Sequence, residues 1–159
     1  MDAEAKKHLL RQIPHAVYVI TCQAHGQTVA STVTWATQAS FEPPLVAICL
    51  KRDSATYHAV QAAQCFVLNF LGEGQKDLAQ KFFKHVEPEG FTLAGVPFQP
   101  SPTFRFPVFP DMAGHLECRV LSAVEKGDHG VVVAECLEAA KGEGKGILLL
   151  STTGWNYGG

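Results

Sequence analysis

Two adjacent prolines, Pro43-Pro44, run directly into six apolar residues, Leu45 to Leu50, and no other feature limits the fold of this chain as strongly. Proline donates no backbone hydrogen bond, so the pair belongs at a corner or a strand start. The run behind it then reads as a short strand buried on both faces. The segment leading into the corner is polar: Thr32-Val33-Thr34-Trp35-Ala36-Thr37-Gln38-Ala39-Ser40-Phe41-Glu42. The segment leaving it is basic and then hydroxylated, Lys51-Arg52-Asp53-Ser54-Ala55-Thr56. One short turn is the ordinary filler between two strands. Hydroxyls, backbone N–H groups and a cation gathered around one strand are instead what a pocket for a phosphate and a polar heterocycle requires. The plain alternatives are a polar outer strand from Thr32 to Ser40, with Thr serving β-propensity, and simple helix capping by Ser54 and Thr56.

The other segments read as mainly β. Ala3 to Ile13 forms a short helix with Leu9, Leu10 and Ile13 on one face, stopped by Pro14. Ala16 to Cys22 and Gln27 to Val33 form a hairpin about His25-Gly26. Past the Ser54 cap, Thr56 to Ala63 is helical, Cys65 to Leu71 is a strand, and Gln75 to Phe83 is a helix with Leu78, Phe82 and Phe83 inward. Glu87 to Pro110, with six prolines, reads as a long loop serving as a cover or a subunit contact. Strands follow at Gly114 to Val124, Gly130 to Ala139 and Ile147 to Ser151, before a Gly-bounded tail containing Trp155 and Tyr157. Six or seven strands with hairpin-length connections favour a closed or nearly closed antiparallel barrel, which removes exposed edges.

Composition narrows the function classes. At 159 residues, 47% apolar and 18% charged, the chain is expected to be one globular domain spanning residues 1–159. A net charge of −2 without a Lys/Arg block argues against a nucleic-acid partner. No apolar run approaches ~18 residues and the charged N-terminus lacks a signal-peptide core, so no membrane partner and a cytoplasmic location are expected. The five cysteines lack C-x-x-C spacing and read as reduced core thiols; the seven histidines show no H-x-x-x-H pair, so no metal is expected. Neither a dinucleotide-binding G-x-G-x-x-G nor a P-loop is present. Asn69 and Gln75 stand at element ends, as caps or as site residues. His129 falls in the turn sequence Gly127-Asp128-His129-Gly130. Trp155 and Tyr157 are either plugs or faces on which a flat ring stacks.

These motifs, in this order from Pro14 to Gly159, resemble the flavin reductase-like family, and within it flavoredoxin-type proteins and the flavin reductase module fused to some flavodiiron proteins. The resemblance implies an FMN-binding split β-barrel, antiparallel and Greek-key, with two or three short helices, usually a homodimer with flavin near the subunit interface. It implies electron transfer from NAD(P)H through FMN, with FAD as the other candidate, to a small-molecule or protein acceptor. By position, Thr34, Trp35, Ala36, Thr37, Gln38, Ala39 and Ser40 would lie along the isoalloxazine and ribityl chain. Leu50, Lys51, Arg52, Ser54 and Thr56 would hold the phosphate, and Asn69, Phe70, Leu71 and Gln75 would approach the ring. His129 would sit near the flavin or nicotinamide side; no side-chain nucleophile is required, since the flavin carries the chemistry. Many relatives have Asn-Ser where this chain has Thr34-Trp35, and the 87–110 loop matches the family poorly. An FMN electron carrier without its own NAD(P)H site, and a cofactor-free structural barrel, are the competing readings.

Overall fold

The computed structural model describes residues 1–158. The chain runs α1 (Ala3–Arg11), β1 (Tyr18–Ala24), β2 (Gln27–Val33), β3 (Ala36–Ser40), β4 (Leu45–Lys51), α2 (Ala55–Ala63), β5 (Cys65–Phe70) and α3 (Lys76–Gln80). Five two-residue strands follow, β6 (Pro88–Glu89), β7 (Thr92–Leu93), β8 (Val96–Pro97), β9 (Gln99–Pro100) and β10 (Pro107–Val108), then the long hairpin β11 (Gly114–Val124) and β12 (His129–Lys141). Seven strands make one antiparallel sheet in the order β2-β1-β5-β11-β12-β4-β3.

That order forces curvature. The two edge strands, β2 and β3, are consecutive in sequence, joined only by Thr34 and Trp35. Laid flat, six strand spacings would hold them roughly 29 Å apart. The chain from Val33 to Ala36 spans at most about 11 Å. The sheet therefore curls until its edges nearly meet, giving a barrel split at β2/β3 and bridged there by the chain itself. β5 returns through α2 to lie beside β1, which is the Greek-key path. Mainly β architecture with short helices is thus as expected from the sequence.

Two apolar clusters occupy the two faces of β1. Tyr18, Ile20 and Cys22 pack with Ile48, Leu50, Val60, Phe66 and Leu68, while Val17 and Val19 pack with Leu71, Phe82, Leu93, Phe109 and Met112. The strands buried on both faces are consequently β1 and β5. Leu45 to Leu50, read as the doubly buried strand, instead alternates between buried and half-buried positions, because only its inner side meets a core.

Other expectations need correction. No residue of α1 is buried, and Leu9, Leu10 and Ile13 are exposed: the strands fill both cores, and α1 is held by its Asp2 cap and by Arg11 Nε donating to Gly158 O (3.1 Å). Ile147 to Ser151 is not a strand. A single bridge, Ala16 to Leu149, gives way to a 3₁₀ turn at Leu150–Thr152, closed by Thr152 and Thr153 hydroxyls donating to Leu149 O and Leu150 O. Regular helix near Gln75 is limited to Lys76–Gln80; Phe82 is buried as expected, but Phe83 is exposed. The 87–110 segment is no bare loop, since β6-β7-β8 form a small sheet and β9-β10 a ribbon. It is fastened by Thr21 Oγ1 donating to Pro107 O (2.7 Å) and by Asn69, which donates to Val19 O (3.2 Å) and Pro107 O (3.4 Å) and accepts from Phe109 N (3.3 Å). The β2 and β11 boundaries and the Ser54 cap, whose Oγ accepts from Tyr57 N (3.1 Å), are as read from the sequence.

Candidate functional site

A cavity of about 620 Å³ opens where the chain crosses the split in the barrel. Its walls are the end of β2 (Ser31, Thr32, Val33), the crossing residues Thr34 and Trp35, the end of β4 (Cys49, Leu50, Lys51), Ser54 and Thr56 at the start of α2, Phe82 and Phe83, Leu150, and the tail residues Trp155, Asn156 and Tyr157. This volume suits a cofactor-sized ligand.

The crossing itself is rigid. Ala36 N donates to Thr34 O (3.1 Å), and Trp35 O accepts from Cys49 N (2.8 Å), which pins the crossing to β4. Thr34 is 8% exposed, and among the described residues its Oγ1 has no hydrogen-bond partner. A buried hydroxyl left unpaired costs free energy that a ligand can recover. Beside it, Ser31 Oγ and Thr56 Oγ1 share a 2.7 Å hydrogen bond, and Thr32 Oγ1 donates to Ala79 O (2.6 Å). Thr34 is therefore the uncommitted hydroxyl among these neighbours.

Where β4 leads into α2, Ser54 caps the helix and also donates to Lys51 O (2.6 Å). The Ala55 and Thr56 amides lie in the first turn, where helix geometry supplies no intrahelical acceptor, and the helix dipole favours an anion there. Lys51 lines the cavity while forming an exposed pair with Asp53 (3.1 Å). Arg52 takes a different role. It pairs with Glu125 (3.2 Å), donates through its side chain to Gly127 O (3.3 Å) and through its amide to Asp128 O (2.9 Å), while Tyr57 Oη donates to Glu125. This network clamps the β11–β12 turn against the start of α2.

The clamp positions His129, which lies opposite Lys51 in the β12–β4 register. Its ring sits 4.7 Å from that of Trp35, its Nε2 is 2.8 Å from Tyr157 Oη and its Nδ1 is 2.9 Å from Asp128 Oδ1. Bonding to His129 holds the Asp128 carboxyl below its ordinary value, and burial followed by the nearby Asp128 charge pushes the Tyr157 phenol up. Trp35 also meets the edge of Tyr157 (5.2 Å). The tail is anchored further by Trp155 against Phe83 (4.8 Å) and by the Lys76 ammonium over the Trp155 ring (5.5 Å).

Thr34, Trp35, Leu50, Lys51, Ser54, Thr56, Trp155 and Tyr157 are thus brought to one cavity, with His129 against its Trp35 wall. Ala36, Thr37, Gln38, Ser40 and Phe70 line a second cavity of about 480 Å³. Ala39 lies exposed on β3 and lines neither. Asn69 and Leu71 are buried away from both, Asn69 in its bonds to the proline-rich segment and Leu71 in the second apolar cluster. Gln75 accepts from Gly72 N (2.7 Å) and donates to Asp111 O (2.6 Å). Ser31, Cys49, Phe82, Phe83, Leu150 and Asn156 are wall residues that sequence reasoning missed. Ser31 carried a signal, since the two-residue strand period places it on the same face of β2 as Val33 at the entry to the polar crossing. No cluster of metal-ligating side chains occurs among the described residues, and no described helix is long and apolar enough to cross a membrane.

Comparison with known proteins gives a consistent picture. A family model described as "Flavin reductase like domain" matches residues 10–157. "Diflavin flavoprotein A 1" of Synechocystis sp. is 33% identical over 147 residues, covering 91% of this chain and 25% of that protein. The "Stachydrine N-demethylase reductase subunit" of Rhizobium meliloti is 32% identical over 133 residues, covering 83% of this chain and 56% of that protein. The chain therefore spans between a quarter and somewhat over half the length of these relatives. Among solved structures, an NADH:FAD oxidoreductase of Streptomyces globisporus superposes with a TM-score of 0.76 at 25% identity, over 88% of this chain and 84% of that one.

Proposed function

The chain belongs to the flavin reductase-like family, and from that premise we propose that it is an FMN-binding oxidoreductase that takes electrons from NAD(P)H and passes them to free flavin, a ferric complex or a protein partner. Residues 1–159 act as one flavin-binding domain in this reading, cytoplasmic and homodimeric. The unpaired thiols support the location, and the exposed Leu9, Leu10 and Ile13 support a subunit contact.

The observation that carries the proposal is Thr34 Oγ1, buried and unpaired in the wall of a cofactor-sized cavity that a helix N-terminus and Lys51 also line. A phosphorylated polar heterocycle fits that donor set: the α2 amides and Lys51 hold the phosphate end, and Thr34 with the backbone of the crossing holds polar edge atoms. When bound, the flavin supplies hydride acceptance and electron release. The protein's own contribution is to bind, orient and exclude water. Trp35, Tyr157 and Trp155 close the cavity with apolar faces, and the His129–Tyr157 bond holds the tail across it. Arg52 acts through the clamp that sets His129, and Asn69 and Gln75 act through the packing of the segments behind the site.

The test is an anaerobic spectrum of FMN-loaded protein. Bleaching by NADH or NADPH is expected, and protein that cannot be loaded with FMN defeats the proposal. A second reading, an electron carrier with no nicotinamide site, is favoured by one feature: Trp35, His129 and Tyr157 already pack ring against ring, leaving less free aromatic face for a second ring to stack on. Bleaching by dithionite but by neither nicotinamide would select it.

A further inference from the structure

Two cysteines face each other across the β11–β12 hairpin, and neither lines the 620 Å³ cavity that Thr34 and Lys51 share. Cys118 and Cys136 are partners in the strand register, immediately beside a bulge at Glu117/Cys118 that leaves Leu137 without a partner. The Cys136 amide is turned away from β11 and donates to Pro44 O at 2.9 Å. In antiparallel pairing the N–H and C=O of one residue point the same way, so this is a non-hydrogen-bonded pair. Such pairs bring the Cα atoms to about 4.5 Å with both side chains on one face, which is inside the ~4.4–6.8 Å window a disulfide accepts.

The two thiols are not equivalent. Cys118 is fully buried in the core. Cys136 is partly exposed and lines the 480 Å³ cavity beside Leu45, Phe70 and Leu116, so a small reagent meets it first. The neighbouring Cys118 thiol holds the Cys136 thiol down to about 7, and Cys136, together with burial, pushes Cys118 well up. A thiol with appreciable thiolate at neutral pH is the nucleophile of such a pair.

We infer that Cys118 and Cys136 form a dithiol site that a hydroperoxide oxidises to a reversible cross-strand disulfide. The Cys136 thiolate attacks the terminal peroxide oxygen, the O–O bond breaks, and the leaving oxygen departs with a proton as water or alcohol. The sulfenic acid so formed on Cys136 is attacked by Cys118. The S–O bond breaks as the S–S bond forms, and the hydroxyl leaves as water with the Cys118 proton. Two thiols lose two electrons and the peroxide gains them. The strands are already paired at this position, so bond formation demands little rearrangement, and an external dithiol reverses it by exchange.

The experiment uses the full chain, reduced, freed of reductant and exposed to a small excess of hydrogen peroxide. Two of the five thiols are expected to disappear under denaturing titration, with an intact mass lower by about 2 Da. Peptide mapping should join Cys118 to Cys136, and dithiothreitol should restore both thiols. Cys118→Ser should arrest the reaction at a sulfenic acid on Cys136, captured by dimedone. Retention of all five thiols, a bridge involving Cys22 or Cys65, or dimedone on a cysteine other than Cys136 overturns the inference. The mapping of unaltered protein decides even where the buried Cys118→Ser change impairs folding.

Discussion

Glu117 and Thr34 are both polar residues buried in the barrel, 0% and 8% exposed, yet their surroundings treat them in opposite ways. Glu117 accepts from Ser101 Oγ (2.6 Å), Thr103 N (3.0 Å) and Phe104 N (2.8 Å), so a charge in the core is met by donors from the proline-rich segment. The Thr34 hydroxyl has no partner among the described residues. The first arrangement is complete within the chain and fastens a covering segment to β11. The second is incomplete within the chain and borders a cavity. Buried polarity that is internally satisfied marks structure, and buried polarity left open beside a cavity marks a ligand site. Substitutions at the two positions should therefore separate stability from binding.

The largest effect belongs to the satisfied region. Glu117→Ala leaves three donors without their acceptor, at about 1–3 kcal/mol for the buried Ser101 hydroxyl and about 1 kcal/mol for each of the Thr103 and Phe104 amides, which water partly reaches. Urea unfolding is expected to show a loss of about 3–5 kcal/mol, while the FMN dissociation constant of the folded fraction stays unchanged. A parallel collapse of FMN affinity would mean that the two regions are one. A pH series sharpens the same point. Burial works to raise the Glu117 carboxyl, but the hydrogen bonds from Ser101, Phe104 and Thr103, with nearby His115, outweigh it and hold the group below its ordinary value. A carboxyl depressed in the folded state stabilises above its unfolded value, about pH 4.3, and loses that contribution as pH falls through the folded one. The difference in urea midpoint between the native chain and Glu117→Gln, which isolates this carboxyl from the partly buried histidines, should hold from neutrality to about pH 5 and shrink below about pH 4.3. Glu117→Gln should start lower and show a shallower acid decline.

Thr34→Val tests the open region with a smaller effect of different kind. It keeps the shape and removes the unpaired hydroxyl, so stability should be unchanged or higher by up to about 1 kcal/mol. FMN affinity should weaken about tenfold, or about 1.4 kcal/mol, in a fluorescence titration. Lost stability with retained affinity would place the hydroxyl in an internal bond and remove it from the site.

What the sequence disclosed follows the same division. Ser54, the β2 and β11 boundaries and the barrel class were legible because capping chemistry and period-two patterning are local. The Thr34-Trp35 crossing was legible as an unusual polar segment, but not as the join of two sheet edges, since that depends on strand order. Glu117 was passed over because its donors arrive from residues 101–104, which read as loop. Arg52 looked like a phosphate ligand from its place beside Lys51. Its commitment to Glu125 on a distant hairpin is a tertiary fact. Leu9, Leu10 and Ile13 share one helix face by spacing, and only the strand packing reveals that no core is left for that face.

Tyr157→Phe carries the smallest expected effect and probes whether the tail belongs to the open region or merely covers it. The substitution removes the 2.8 Å bond to His129 Nε2 and leaves the ring edge against Trp35. Tyr157 is 46% exposed, so the bond contributes about 0.5–1 kcal/mol, too little to move the urea midpoint when Arg11 and Trp155 still anchor the tail. If the tail closes over bound FMN, that energy is spent in keeping the cavity shut, and the FMN dissociation rate should rise about two- to fivefold with an unchanged association rate. Stopped-flow displacement reads both rates. An unchanged dissociation rate would detach the tail from the site and leave Thr34, Lys51 and the start of α2 as its whole polar frame; a slower association rate would instead make the His129–Tyr157 bond an organiser of the empty cavity rather than a latch on the filled one.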